Sequence, residues 1–333
     1  MSIKIGNLTY DNDLFMAPME GITDVPFRRI VRKFGCAVTC TQMIHAEAVL
    51  HGTSERLRDT LAIDPAEKPV GIQLCGSDAH TIAEAAQRVE QMGFAFVDIN
   101  MGCPAKNVVN NGAGSALLQD PPKTGDIVRE LKKRLTVPIT VKVRAGWDDS
   151  YKAGLEVAKI VEQEGASLVT IHARTRSQKF KGHADWNLIQ ELKGMVKIPV
   201  VGNGDVFEPD DIDTMRRETT ADGVMVARGA LGNPWIFSQM FPTVRQVRDT
   251  ILEHMGYHMD FYTRKDRALI TFRKHVAWYT KGLPHSSEFR VSVFKQPSYE
   301  VFLQMFNDYF ATLDPDLIIK FGRDDEPEEP VAS

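Results

Sequence analysis

Between residues 14 and 240 the chain repeats one pattern: a short apolar run, a turn, and a stretch whose apolar positions recur at helical spacing. The apolar runs predict strands at Leu14–Ala17, Ala37–Met43, Val70–Leu74, Phe96–Asn100, Ile139–Arg144, Leu168–His172, Pro199–Asn203 and Gly223–Ala227. Eight strands alternating with helices describe an α/β fold, the (β/α)8 TIM barrel. A doubly wound open sheet competes with it, but seldom uses so many regular units, and its G-x-G-x-x-G fingerprint at the first strand turn is absent. From about Arg245 the strand signal stops. Segments 245–263, 264–281, 286–295 and 298–312 have helical spacing, punctuated by Gly282-Leu283-Pro284, so a smaller all-helical domain follows the barrel. The predicted division is 1–242 for the barrel, 243–320 for the helices and 321–333 for an acidic tail that reads as disordered.

Composition fits this plan: 333 residues, 43% hydrophobic, can bury one large core and a smaller second one. There is no apolar run of about 18 residues, and Met1-Ser2-Ile3-Lys4 opens no signal-peptide core, so the expectation is a cytoplasmic protein with no membrane partner. Cys36, Cys40, Cys75 and Cys103 provide neither a disulfide framework nor zinc-like spacing, and the first three read as strand or core residues. The net charge of −4 argues against a nucleic-acid partner until its distribution is considered. Asp324, Asp325, Glu326, Glu328 and Glu329 lie in the tail, whereas 245–295 carries ten Lys/Arg against five Asp/Glu, a net +5. Such local positive charge suits a nucleic-acid face, with a solvated helical face as the plainer alternative.

Polar residues gather where a barrel keeps its chemistry. Gln73, Asn100, Lys142, Arg144, His172 and Asn203 fall at or near carboxyl ends of predicted strands and so converge on one mouth, where they call for a ligand. Gly202-Asn203-Gly204-Asp205 and Ala227-Arg228-Gly229 follow the seventh and eighth strands, the usual phosphate end of a barrel. Arg228 can add a charge-assisted bond there. Cys103 stands on the loop after the fourth strand, between Gly102 and Pro104, so its sulfur is held in one direction. It is either a nucleophile or proton donor or a small buried hydrophobe.

Asn100-Met101-Gly102-Cys103-Pro104 resembles the N-x-G-C-P signature of the tRNA dihydrouridine synthases, and the match continues through Lys106, Asn107, Val108 and Gly112–Leu118. Ala17-Pro18-Met19-Glu20-Gly21-Ile22-Thr23-Asp24 resembles the family's A-P-M-x-G-x-T-D opening. Val141–Trp147, Ile171–Arg176, Gly202–Asp205 and Ala227–Ala230 follow in family order, closest to the bacterial B-type branch.

The resemblance implies bound FMN, NADPH as reductant and tRNA as partner, with no protein partner and a monomeric state. It implies that Pro18 and Met19 lie against the flavin, Gln73 bonds its ring edge, Lys142 reaches its N1/O2 side and His172 is another contact. Asn203, Gly204, Asp205, Ala227 and Arg228 correspond to the ribityl and phosphate cradle. Cys103 would protonate uracil C5, since an unperturbed thiol with pKa near ~8.5 is mostly protonated at neutral pH. Asn100 and Arg144 would hold the uracil edge, and Arg174 and Arg176 would contact phosphate, unless they form surface salt bridges.

Thr271–Tyr279 resembles the family's R-K-H-x-x-W-Y helix, with Arg273, Lys274 and His275 as RNA contacts and Trp278 and Tyr279 as core. Two departures stand out: Gln42 replaces an acidic residue, and Ala227 replaces a glycine. The expected substrate is a D-loop uridine, with a lean toward position 17 of the tRNA. A flavin-dependent reductase of a free pyrimidine and a non-catalytic tRNA-binding factor are the alternatives.

Overall fold

Along each strand, side chains alternate between two environments, and this alternation builds the molecule. In the computed structural model, which describes residues 2–150, 152–296 and 298–321, the strands are β1 (Ile3–Ile5), β2 (Leu8–Tyr10), β3 (Leu14–Met16), β4 (Cys40–His45), β5 (Gly71–Cys75), β6 (Val97–Met101), β7 (Ile139–Arg144), β8 (Leu168–His172), β9 (Val200–Asn203) and β10 (Gly223–Val226). The expected tail from residue 322 lies outside the described residues.

Strands β3 to β10 form one parallel sheet in the order β3-β10-β9-β8-β7-β6-β5-β4. A parallel bridge between Phe15 and Val38 joins its two edges, with Met16 N donating to Val38 O at 3.0 Å and Val38 N to Leu14 O at 3.1 Å. The predicted (β/α)8 barrel is thus closed. Residues 37 and 38, expected inside the second strand, make this closure, and the strand itself runs on to His45.

Val97, Ile99, Val141, Val143, Val169, Ile171, Val224 and Val226 face outward and join the large core between the strands and the surrounding helices. Their neighbours Phe15, Phe96, Leu168, Val201 and Met225 point inward and fill the barrel's lower half. Gly71 is required by that filling, because a Cβ there would sit 2.2 Å from the Phe96 ring. The antiparallel pair β1/β2, which the sequence pattern did not predict, adds Ile3, Ile5 and Tyr10 to the same inner cluster. Apolar side chains therefore close the lower part of the barrel, and polar ones are left for the upper part.

Helices Val244–Phe261, Lys265–Tyr279, Ser286–Val293 and Tyr299–Ala311 follow the barrel and build a second core around Val247, Ile251, Phe272, Val276, Phe302 and Phe306. Phe321, counted with the tail in the sequence reading, stacks on Trp235 at 6.0 Å between ring centroids. The barrel meets these helices through helix Val25–Lys33. Its cap Asp24 accepts from Phe27 N at 3.0 Å and from Tyr262 Oη at 2.9 Å, and Lys33 pairs with Glu253 at 2.6 Å. Among the described residues, no helix is long and apolar enough to cross a membrane.

Candidate active site at the barrel mouth

The inward positions continue upward with polar residues: Gln73 on β5, Asp98 and Asn100 on β6, Thr140, Lys142 and Arg144 on β7, Thr170 and His172 on β8, and Asn203 on β9. Strand pairing sets them in levels, with Gln73, Asp98 and Thr140 in register on three adjacent strands, Asn100 opposite Lys142, and Arg144 opposite His172, itself opposite Asn203.

One hydrogen-bond chain links the lower level to the cysteine loop. Thr140 Oγ1 donates to Asp98 Oδ1 at 2.6 Å, and Gln73 Nε2 donates to Asp98 Oδ2 at 2.7 Å. Asn100 Nδ2 donates to Gln73 Oε1 at 2.9 Å. Asn100 Oδ1 then accepts from the backbone N–H groups of Gly102 at 3.1 Å and Cys103 at 2.9 Å. The loop's other side is held by Arg144, whose Nε donates to Gly102 O at 2.8 Å, and Cys103 O accepts from Ser115 N at 3.0 Å. Burial raises the Cys103 thiol above its ordinary pKa, only partly countered by the Ala105 amide and by Arg144 and Lys142, so the group is a thiol rather than a thiolate.

Beside the cysteine loop lies a cluster of cations. Lys142 Nζ donates to Asn203 Oδ1 at 3.0 Å, and Asn203 Nδ2 is anchored on Met225 O at 2.8 Å. Burial, then the neighbouring Arg144, lower Lys142 to about 8. His172 is held neutral, its pKa well below the ordinary value, by burial and by the combined charge of Arg144, Lys142, Arg174 and Arg228. Asp205, at a left-handed φ of 58°, accepts from Arg174 Nη2 at 2.7 and 2.9 Å and from Ala184 N at 2.7 Å. Arg228 lies 3.9 Å from the same carboxylate. Phe180, which no sequence motif singles out, sits among these charges, its ring 5.4 Å from the guanidinium carbons of both Arg144 and Arg228.

The structure thus brings Gln73, Asn100, Cys103, Lys142, Arg144, His172, Asn203, Gly204, Asp205 and Arg228 to one mouth, with Pro18 and Met19 half-buried just after β3. Other expected positions fall elsewhere. Arg174, expected to meet an RNA phosphate, is 2% exposed and turned inward to Asp205, because its strand-end position is covered by the loop carrying Lys181 and Gly182, whose carbonyls it also bonds. Arg176 stays nearer the surface, stacked 4.4 Å over the Trp147 ring.

Arg273 and Lys274 are half-buried: the first donates to Gln296 O at 3.0 Å, the second to Gly21 O. His275 is fully buried against Phe272, His254 and Trp278, since it lies on the helix face that packs inward, and so cannot touch RNA. Tyr279 is core as expected, and Trp278 is half-buried against the barrel core.

Gln42 Oε1 accepts from Gly21 N at 2.6 Å and Lys274 donates to Gly21 O, so the two side chains hold one residue of the first barrel loop by both of its backbone polar groups. Ala227 has φ −116° and ψ −102°, so the position does not demand the left-handed φ that glycine adopts freely. Asp98 and Thr140 were missed altogether; an acid in the middle of an apolar strand was the available signal.

The donor set fits an anionic, hydrogen-bonding cofactor. Four cations, Lys142, Arg144, Arg174 and Arg228, face two carboxylates, Asp98 and Asp205, and Arg174 Nη1 is buried without a hydrogen-bond partner. Fold and mouth together define an α/β-barrel enzyme whose polar groups sit at the carboxyl ends of its strands.

Residues 15–310 match the family model described as dihydrouridine synthase. A probable tRNA-dihydrouridine synthase of Rickettsia bellii is 40% identical over 302 residues, 87% of this chain and 92% of its own length. The tRNA-dihydrouridine synthase B of Pseudomonas syringae pv. tomato is 38% identical over 301 residues, covering 87% and 88%. The chain belongs to the dihydrouridine synthase family. Among solved structures, a 6-hydroxypseudooxynicotine amine oxidase from Pseudomonas geniculata N1 superposes with a TM-score of 0.56 at 15% identity, over 76% of this chain and 52% of that one. Morphinone reductase in complex with tetrahydroNAD gives 0.51 at 12% identity, over 70% and 87%. These two share the fold.

Proposed function

We propose that this chain is a flavin-dependent tRNA dihydrouridine synthase that reduces the C5–C6 double bond of a D-loop uridine, position 17 by family resemblance. FMN, when bound and reduced by NADPH, would supply the hydride to uracil C6. The protein's task is to hold cofactor and base and to manage charge. Lys142 and Gln73 would hold the flavin ring, with Pro18, Met19 and His172 as further contacts, and Asn203, Gly204, Asp205, Ala227 and Arg228 would hold its ribityl phosphate. A cation at Lys142 suits a ring that becomes more negative on reduction.

As hydride reaches C6, negative charge gathers toward C5 and O4 of the uracil. Cys103 gives its proton to C5. The observation that carries this reading is the Asn100 carbonyl gripping the Gly102 and Cys103 amides, which fixes a protonated thiol at the mouth beside the cation cluster. Arg144 has Nε and Nη1 committed to the carbonyls of Gly102, Thr175 and Lys179, so Nη2 is its donor for a uracil carbonyl, with Asn100 nearby.

A stacked base cannot enter the barrel, so the uridine must be flipped out. Residues 1–242 are read as the chemical unit and 243–320 as the tRNA grip, acting as a monomer in the cytoplasm. Exposed Arg267 and Lys295, rather than the half-buried Arg273 and Lys274, are its phosphate contacts, with Arg176 at the mouth. Mass mapping of tRNA from a strain lacking this protein tests the reading: one D-loop uridine should lose its dihydrouridine. Unchanged dihydrouridine at every position would refute it.

A further inference from the structure

We propose that Asp98 is a positioning residue for this reduction: its carboxylate sets the orientation of the Gln73 and Asn100 amides, and through them the loop carrying Cys103, and it is the buried counter-charge of Lys142. The proposal rests on the function proposed above.

The argument is one of hydrogen-bond polarity. Burial raises the Asp98 carboxyl above its ordinary pKa, while the hydrogen bonds from Gln73 and Thr140 and the charge of Lys142 favour its ionised form, which can only accept, so the Gln73 atom facing Asp98 is Nε2. That turns Gln73 Oε1 toward Asn100, whose facing atom must therefore be Nδ2. Asn100 Oδ1 is then left for the two loop amides, which can only donate. A carboxylate at one end and peptide N–H groups at the other admit one orientation of each amide between them. Each alternative orientation places two donors or two acceptors in contact.

Thr140 donates to the second carboxylate oxygen, so both oxygens of Asp98 are held by hydrogen bonds. Lys142 is faced by Arg144 on its own strand, Asp98 on β6 and Cys103 on the following loop, with His172 on β8 inside the reach of its charge. Asp98 is thus the carboxylate that works to keep Lys142 charged, against burial and Arg144.

Two variants separate the roles. Asp98→Ala leaves Gln73 Nε2 unpaired and should lower dihydrouridine turnover at least tenfold with KM for tRNA changed less than threefold. In the same variant, free of cofactor, hydrogen exchange at the Gly102 and Cys103 amides should be faster, a readout independent of activity. Asp98→Asn can keep both hydrogen bonds while losing the charge. Its turnover should fall less than that of Asp98→Ala, and its alkaline limb, the fall in turnover as Lys142 loses its proton, should move to lower pH by about half a unit or more. Should Asp98→Ala fail to fold, the limb of Asp98→Asn decides.

Wild-type-like turnover and exchange in Asp98→Ala, or an unmoved limb in Asp98→Asn, would overturn the proposal. Absence of dihydrouridine with the wild-type protein in the same assay would instead sink the functional reading.

Discussion

Asn100 Oδ1 and the Cys103 amide nitrogen lie 2.9 Å apart, so a strand residue inside the barrel holds the residue that follows it out of the barrel. Asn100→Ala removes the acceptor for both the Gly102 and Cys103 amides while keeping the strand. Turnover should drop about tenfold or more, since a general acid contributes only when held within reach of its target, and KM for tRNA should move little. Steady-state kinetics with unmodified tRNA check this.

Lys142 governs the alkaline side. Its pKa is lowered to about 8, so the ammonium is present below that pH and lost above it. Turnover should therefore fall as pH rises through about 8. Lys142→Met should lower the rate at neutral pH and abolish that limb, because the charge is gone throughout. A pH profile of NADPH oxidation in both proteins is the measurement.

Arg174 and Asp205 make a pair with side-chain exposures of 2% and 12%. Asp205→Ala leaves a buried guanidinium without its carboxylate and should destabilise the fold by about 3–5 kcal/mol. Arg174→Met together with Asp205→Ala should recover part of that loss, since the uncompensated charge is gone. Denaturant unfolding of the two variants and of the Arg174→Met single variant closes the cycle.

The helical region separates surface charge from structure. Changing Arg267 and Lys295 to Ala should reduce the log–log salt slope of tRNA binding by about two, with NADPH oxidation intact. Lys274→Met, which cuts the tie to Gly21, should instead lower turnover without flattening the salt slope. Filter binding across salt concentrations, paired with kinetics, tells the two apart.

The sequence pattern was most informative where alternation was uninterrupted. β7 at Ile139–Arg144 and β8 at Leu168–His172 match their expected bounds, because each has apolar residues outward and its polar ones all inward. β4 was placed early, since Ala37-Val38 is as apolar as a strand but serves only to close the barrel. The β1/β2 hairpin was too short for its period to register.

At the mouth, residue type pointed to the right strand ends, but not to what each group touches. Arg174 looked like a surface cation until a loop folded over it, and His275 shares a helix with exposed cations while facing the opposite way. Asp98 escaped notice because a single acid in an apolar strand acquires meaning only through Gln73 and Thr140, which come from other strands.

The central claim is that Cys103 protonates a uridine of tRNA, and a single-turnover experiment with pre-reduced protein and unmodified tRNA tests it most directly, with dihydrouridine read by mass. Wild-type protein should add two hydrogens at one D-loop uridine. Cys103→Ala should accept reducing equivalents from NADPH at nearly the wild-type rate yet form dihydrouridine about 100-fold more slowly, the range expected for loss of a general acid. Equal rates of dihydrouridine formation in the two proteins, or equal losses in both half-reactions of Cys103→Ala, would contradict that assignment.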